Sequence, residues 1–213
     1  MEGGKRSKPE EKSPESEATY RTEYNIKTDN DLAQIPFKDR LTTLKLNFQS
    51  GYVGDFSNQI KEFTSLKKLA INQDSKSKND YLDLDLSEST IEDFEIQECR
   101  FKNFYMSDTL KRLVISDSSF KYLGRRSVTL PLQVFKNIHN LEYLSLIAVV
   151  LNFELHSDFI TECSKLKEIT IHGTDSDSTS NRPRALRISY CPVLKSLKFT
   201  QSKLFNELKL VQR

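Results

Sequence analysis

From residue 36 onward the chain repeats one pattern, apolar-x-x-apolar-x-apolar. It occurs as Leu41/Leu44/Leu46, Leu66/Leu69/Ile71, Ile91/Phe94/Ile96, Leu110/Leu113/Ile115, Leu141/Leu144/Leu146 and Leu166/Ile169/Ile171. Leu186/Ile188 is a less regular instance, and Phe205/Leu208/Leu210 is the last. The two final apolar positions of each unit alternate with polar ones, which predicts short strands with one buried face. The first six units start 25, 25, 19, 31 and 25 residues apart, a period that marks an internal repeat. Three further matches, Tyr81/Leu84/Leu86, Phe101/Phe104/Met106 and Leu194/Leu197/Phe199, lie close to a main unit. About ten residues of chain reach at most ~35 Å, too little for a strand plus a full return. The Tyr81, Phe101 and Leu194 units are therefore expected on the return side, with the phase around 81–110 and 183–210 left open.

Several return segments carry a helical period. Asp55-FSNQIKEF, Pro131-LQVFKNIHN and Ser157-DFITECSK place apolar residues three or four apart just before a strand. Asp55 and Ser157 suit an N-cap and Pro131 a first helical turn. Two polar stretches, Asp74-SKSKND and Thr174-DSDSTSNRPR, read as surface insertions.

The third position after each unit is small or polar: Gln49, Asp74, Cys99, Ser118, Thr174 and Cys191, with Val149 the exception. An apolar residue often returns two positions later, as at Phe101, Phe120, Leu151 and Val193. In this L-x-x-L-x-L-x-x-[N/C/S]-x-L spacing the chain resembles the leucine-rich repeat family over about residues 41 to 213. Cys163-Ser-Lys-Leu166 and Cys191-Pro-Val-Leu194 are similar to the cysteine-containing subtype found in F-box-associated proteins. The resemblance implies an α/β leucine-rich repeat solenoid, a horseshoe with a parallel concave sheet and short helical or extended return segments. It also implies that a buried hydrogen-bonding side chain closes each turn.

Residues 1–35 hold few aliphatic side chains and many Glu, Lys, Ser and Pro. Such a segment cannot offset the cost of ordering its backbone, so a disordered charged tail is expected ahead of a repeat domain over 36–213. The chain stops at Leu208-Lys-Leu210-Val-Gln-Arg, inside a repeat, which predicts truncation, self-association or continuation through an uncapped edge. The 32 basic against 30 acidic residues leave a formal charge of +2, which argues against a nucleic-acid binder. No apolar run reaches membrane length. The N-terminus has no secretory pattern, the three cysteines are odd in number, and no N-x-[ST] acceptor occurs, so an intracellular, cytoplasmic or nuclear location is expected.

The chain contains none of the common catalytic or phosphate-binding motifs, and His139, His156 and His172 share no metal-ligand spacing with the cysteines. No enzyme activity, cofactor or metal is expected. Cys99, Cys163 and Cys191 fall where the repeat predicts burial and read as structural. The one enzymatic alternative is a β-solenoid polysaccharide hydrolase or lyase using the paired carboxylates Asp83/Asp85 and Asp93/Glu95.

The polar positions between the buried ones project from the concave sheet in columns, with Arg187 following Thr170 in the column of Glu95 and Val114. They include an acidic patch at Asp93 and Glu95 beside Arg112, an apolar-aromatic island of Val114, Tyr143 and Ile147, and His172. A desolvated centre with a charged rim is the anatomy of a protein-binding surface. These eight residues form the expected partner-binding site of a non-enzymatic scaffold. By resemblance, such a scaffold recruits substrates as an adaptor of F-box/ubiquitin-ligase type, although residues 36–60 carry no F-box.

Overall fold

The computed structural model describes residues 20–74, 81–120, 139–148, 150–151, 158–161, 163–173, 175–176, 184–189, 191–200 and 205–211. Only the backbone is described at 102–103, 119–120, 150–151, 158–161, 175–176, 184–189 and 205–211. Along the chain the elements are β1 (Glu23–Ile26), α1 (Asp29–Ala33), β2 (Thr43–Phe48), β3 (Gly54–Asp55), α2 (Ser57–Lys61), β4 (Lys68–Gln73), β5 (Leu82–Asp85) and β6 (Asp93–Gln97). They continue as β7 (Arg100–Tyr105), β8 (Arg112–Ser116), β9 (Ser119–Phe120), β10 (Tyr143–Ile147), β11 (Val150–Leu151) and β12 (Asp158–Thr161). The last five are β13 (Glu168–His172), β14 (Asp175–Ser176), β15 (Arg184–Ser189), β16 (Ser196–Thr200) and β17 (Phe205–Val211).

The first six repeat units supply strands of one eight-stranded sheet, ordered β1-β2-β4-β6-β8-β10-β13-β16. Every pair in it is parallel, and the register aligns Thr43, Lys68, Asp93, Arg112, Tyr143, Glu168 and Ser196. The sequence periods of 25, 25, 19, 31 and 25 are thus the register offsets between neighbouring strands. A six-stranded parallel sheet, β14-β11-β9-β7-β5-β3, and a three-stranded one, β12-β15-β17, take the intervening segments. The architecture is α/β, with a large parallel sheet and two short helices among the described residues.

The alternating pattern decides which face is inside. Leu44, Leu46, Leu69, Ile71, Phe94, Ile96, Leu113, Ile115, Leu144, Leu146, Ile169 and Ile171 are all buried, each worth roughly 1.5–3 kcal/mol of transfer free energy. They pack against Leu82, Leu84, Phe101 and Phe104 of the six-stranded sheet. One aromatic contact bridges the two layers, Phe94 meeting Phe104 at 5.7 Å, and within β7 Phe101 meets Phe104 at 4.9 Å between ring centroids.

The corners between the sheets are built alike. Glu98, Asp117, Ala148 and Gly173 follow β6, β8, β10 and β13 and have φ of 54°, 48°, 51° and 62°. Each donates its N–H to the neighbouring strand's end: to the carbonyls of Ser116 (3.1 Å), Ile147 (2.9 Å), His172 (2.8 Å) and Thr200 (3.2 Å). Just beyond lies the polar position that the repeat pattern assigned to closing the turn. Cys99 is buried; its N–H donates to Ser118 Oγ at 3.0 Å, and the Ser118 hydroxyl donates to the Ser116 carbonyl at 2.7 Å. One lap earlier the pattern shifts. Asp74 is exposed, and the buried Gln73 instead accepts the Arg100 N–H at 3.1 Å.

Several expectations are corrected. The ordered part does not begin at 36: β1 extends the large sheet, and α1 buries Leu32 behind it. Glu23 and Asn25 face outward, while Ile26 is buried and Tyr24 packs half-buried against the core, so a polar composition here hides an edge strand. The segment after Ser157 is the strand β12, not a helix; it offers only a thin apolar face, and Ile160 and Thr161 are β-branched. The Leu194 unit is β16 of the large sheet, while the Leu186 and Phe205 units form β15 and β17 of the three-stranded sheet. The Tyr81 and Phe101 units do lie off the large sheet, as β5 and β7. Helix α2 forms where predicted but one residue later, with Phe56 at the N-cap position and Asp55 accepting the Ser57 N–H at 3.0 Å. The expected helix after Pro131, residues 75–80 and most of the 174–184 stretch lie outside the described residues.

Candidate binding face on the eight-stranded sheet

The strand residues that do not enter the core project from the other face of the large sheet. Parallel register sets each beside its counterpart one lap away, about 4.8 Å apart. Asp93, Glu95, Arg112, Val114, Tyr143, Ile147 and His172 all occupy this face. Arg187 does not. It belongs to β15 in the three-stranded sheet, and the strand paired with β13 is β16, so the neighbour of His172 is Thr200. His172 Nδ1 and Thr200 Oγ1 are hydrogen-bonded at 2.8 Å.

Charge is paired across the strands. Arg112 Nη1 lies 2.7 Å from Asp93 Oδ1 and 3.9 Å from a Glu95 oxygen, and Lys68 Nζ lies 3.3 Å from Asp93 Oδ2. The other side of the Arg112 guanidinium covers the Tyr143 ring at 5.4 Å from its centroid, a contact that Arg makes better than Lys. The four residues Lys68, Asp93, Arg112 and Tyr143 are therefore one connected row. Val114 is half-buried, and Ile147 is 36% exposed. Tyr143 and Ile147 are four residues apart on one strand, about 13 Å at ~3.3 Å per residue. Ser145, buried at 2% exposure, sits between them. The expected apolar-aromatic island is thus two separate contacts, and Tyr143 belongs to the charged row.

Beside that row is a depression of about 360 Å³ at β1, β2, β4 and β6. Ala70 has the smallest side chain lining it, with Lys45, Lys68, Asn72, Glu95, Gln97 and Glu23 among the residues around. Its cause lies in the register: Lys45, Ala70, Glu95 and Val114 are neighbours in one column, and the methyl of Ala70 leaves room between long side chains. Lys45 Nζ is 2.9 Å from Glu23 Oε1. A hydrogen bond from Asn47, and then Lys45, hold the Glu23 carboxyl below its ordinary pKa. Asn72 Oδ1 is buried and has no hydrogen-bond partner among the described residues, an arrangement that costs free energy unless something donates to it. Sequence reading placed Lys45, Ala70, Asn72 and Gln97 on the face but not in the site. The usable signal was a small residue, Ala70, between the long Lys45 and Glu95 of its column.

The two carboxylate pairs lie on different sheets. Asp83 and Asp85 are on β5 of the six-stranded sheet, and Asp93 and Glu95 are on β6 of the eight-stranded one. Asp93 is engaged by two cations, and Asp85 accepts the Ser87 N–H at 2.9 Å. Comparison with family models, with curated proteins and with solved structures returned no match.

Proposed function

We propose that the chain is a non-enzymatic protein-interaction scaffold of leucine-rich repeat type, a solenoid whose eight-stranded sheet is the concave, partner-binding face. The observation that carries this reading is the depression at Ala70 next to the Lys68–Asp93–Arg112–Tyr143 row. Together they offer a recess with an unpartnered acceptor, a rim of both charge signs and an aromatic-backed guanidinium. A protein partner suits such a surface: a side chain donating a hydrogen bond enters the recess, and its charged neighbours meet the paired ions of the rim. By resemblance, the partner is a target recruited to an F-box-type ubiquitin ligase inside the cell, with the F-box supplied elsewhere.

The test uses a photo-cross-linking residue placed singly at Ala70, at Tyr143, and at Tyr105 on the six-stranded sheet, in extract of the source cells. One protein cross-linked from positions 70 and 143, not from 105, and lost when Arg112→Glu is added, is the expected result. Cross-links from 105 alone would transfer the function to the other sheet.

A further inference from the structure

We propose that Cys163 and Cys191 form a dithiol that a small-molecule disulfide converts to an intramolecular disulfide joining two successive laps of the chain. Both residues open the same turn. The Leu166 N–H bonds the Cys163 carbonyl at 3.1 Å, and the Leu194 N–H bonds the Cys191 carbonyl at 3.2 Å. The strands that follow are register partners, with Glu168 beside Ser196, so each cysteine stands five residues before an aligned position. Neighbouring parallel strands run about 4.8 Å apart, within the ~4.4–6.8 Å between Cα atoms that a disulfide requires. The shared register therefore sets the two cysteines side by side at equivalent points of successive turns, and Cys163 is the group that lowers the Cys191 thiol pKa. Both carry thiols.

Their surroundings divide the labour. Cys191 is half-buried and Cys163 buried, so an outside reagent reaches Cys191 first. The Cys163 hydrogen bonds stabilise the Cys191 thiolate and bring its pKa down to about 7, where the attacking form is well populated at neutral pH. With glutathione disulfide as oxidant, the Cys191 thiolate attacks one sulfur, the glutathione S–S bond breaks, and one glutathione leaves with a proton. Cys163 then attacks Cys191 Sγ and expels the second glutathione, which takes the Cys163 proton. Two protein thiols are oxidised and one disulfide is reduced to two thiols. The burial expected of all three cysteines is seen at Cys99 and Cys163, while Cys191 is only half-buried. Cys99 is fully buried, with its thiol pKa pushed up by burial, and serves as an internal control.

The experiment incubates the folded chain with glutathione disulfide at pH 7.5, alkylates it in denaturant and maps the cysteines by mass spectrometry. Circular dichroism checks that each variant remains folded. The expected result is loss of two thiols to a Cys163–Cys191 linked peptide, with Cys99 alkylated. Cys163→Ser should stop at a glutathione adduct on Cys191, and Cys191→Ser should form neither adduct nor link. A lasting glutathione adduct on Cys191 of the unsubstituted chain, or both thiols intact in the folded chain, would overturn the proposal.

Discussion

Asp93 on β6 and Arg112 on β8 are direct register partners, and Arg112 Nη1 lies 2.7 Å from Asp93 Oδ1 while its guanidinium covers Tyr143. Both side chains keep solvent contact, so the ion pair itself contributes only about 0.2–1 kcal/mol. Arg112→Ala, which also removes the contact with the Tyr143 ring, should therefore lower stability by no more than about 2 kcal/mol in urea unfolding. A double-mutant cycle with Asp93→Ala should return a coupling within the range of the ion pair itself. A larger coupling would make the row a structural element rather than a surface kept for recognition.

A second row of charges lies one residue before the strands. Lys67, Glu92, Lys111, Glu142 and Lys167 alternate in sign from lap to lap, with Lys67–Glu92 at 3.4 Å and Glu142–Lys167 at 2.6 Å. The Lys111 hydrogen bond holds the Glu92 carboxyl below its ordinary value of 4.5, and Lys167 does the same for Glu142. A lowered folded-state pKa gives stability that is complete above about 4.5 and lost as pH falls through the folded value. Glu92→Gln should flatten that acid limb, and Glu92→Lys, which lines up three lysines, should lower the melting temperature at pH 7. High salt should shrink both effects. Thermal melts from pH 7 to 3 at two salt concentrations check this.

The large sheet was legible because its signal is redundant: every lap repeats two buried apolar residues around one on the opposite face, and reach alone placed the Tyr81 and Phe101 units elsewhere. Strand β1 was not, since at an edge only Tyr24 and Ile26 face the core and the surrounding polar composition dominates. Near the C-terminal end, Leu186/Ile188 and Leu197/Phe199 compete as equally good strands. The tie-breaker was present in the Cys163-x-x-Leu166 and Cys191-x-x-Leu194 repeat, whose spacing equals the register offset between Glu168 and Ser196. The depression at Ala70 depends on which long side chains stand beside it across strands, which becomes readable only when the register is known.

Corner geometry predicts opposite effects for two stacked residues. A Cβ added at Gly173 would meet the backbone of Ala148 at 3.7 Å, an ordinary contact, so the cost of Gly173→Ala comes from its φ of 62°. A left-handed backbone costs a non-glycine residue about 1 kcal/mol or more. Gly173→Ala should destabilise by about that amount. Ala148→Gly, which relieves φ of 51° at the next corner, should be neutral or stabilise by up to about 1 kcal/mol once the added unfolded-state entropy is counted. Urea midpoints moving the same way for both variants would contradict the account.

Alkaline stability should depend on Tyr52. Its ring packs between Phe48 and the turn before α2, with 4.7 Å between the Phe48 and Tyr52 centroids, and its hydroxyl donates to Asp29 Oδ1 at 2.6 Å. Burial, reinforced by the Asp29 carboxylate, pushes the phenol pKa far above its ordinary value of 10.0. A raised folded-state pKa means that the unfolded chain releases a proton the folded chain retains. The stabilisation is therefore complete below about pH 10 and declines as pH rises beyond it. Cys99, raised by burial from an ordinary 9.0, acts in the same direction from a slightly lower pH. Tyr52→Phe should cost about 1 kcal/mol at pH 7, because the exposed Asp29 can rehydrate, and should lose less stability than the unsubstituted chain between pH 10 and 11. Urea midpoints from pH 7 to 11, with Cys99→Ala as a parallel variant, measure both terms. Parallel alkaline limbs in all three proteins would show that neither buried group controls the high-pH transition.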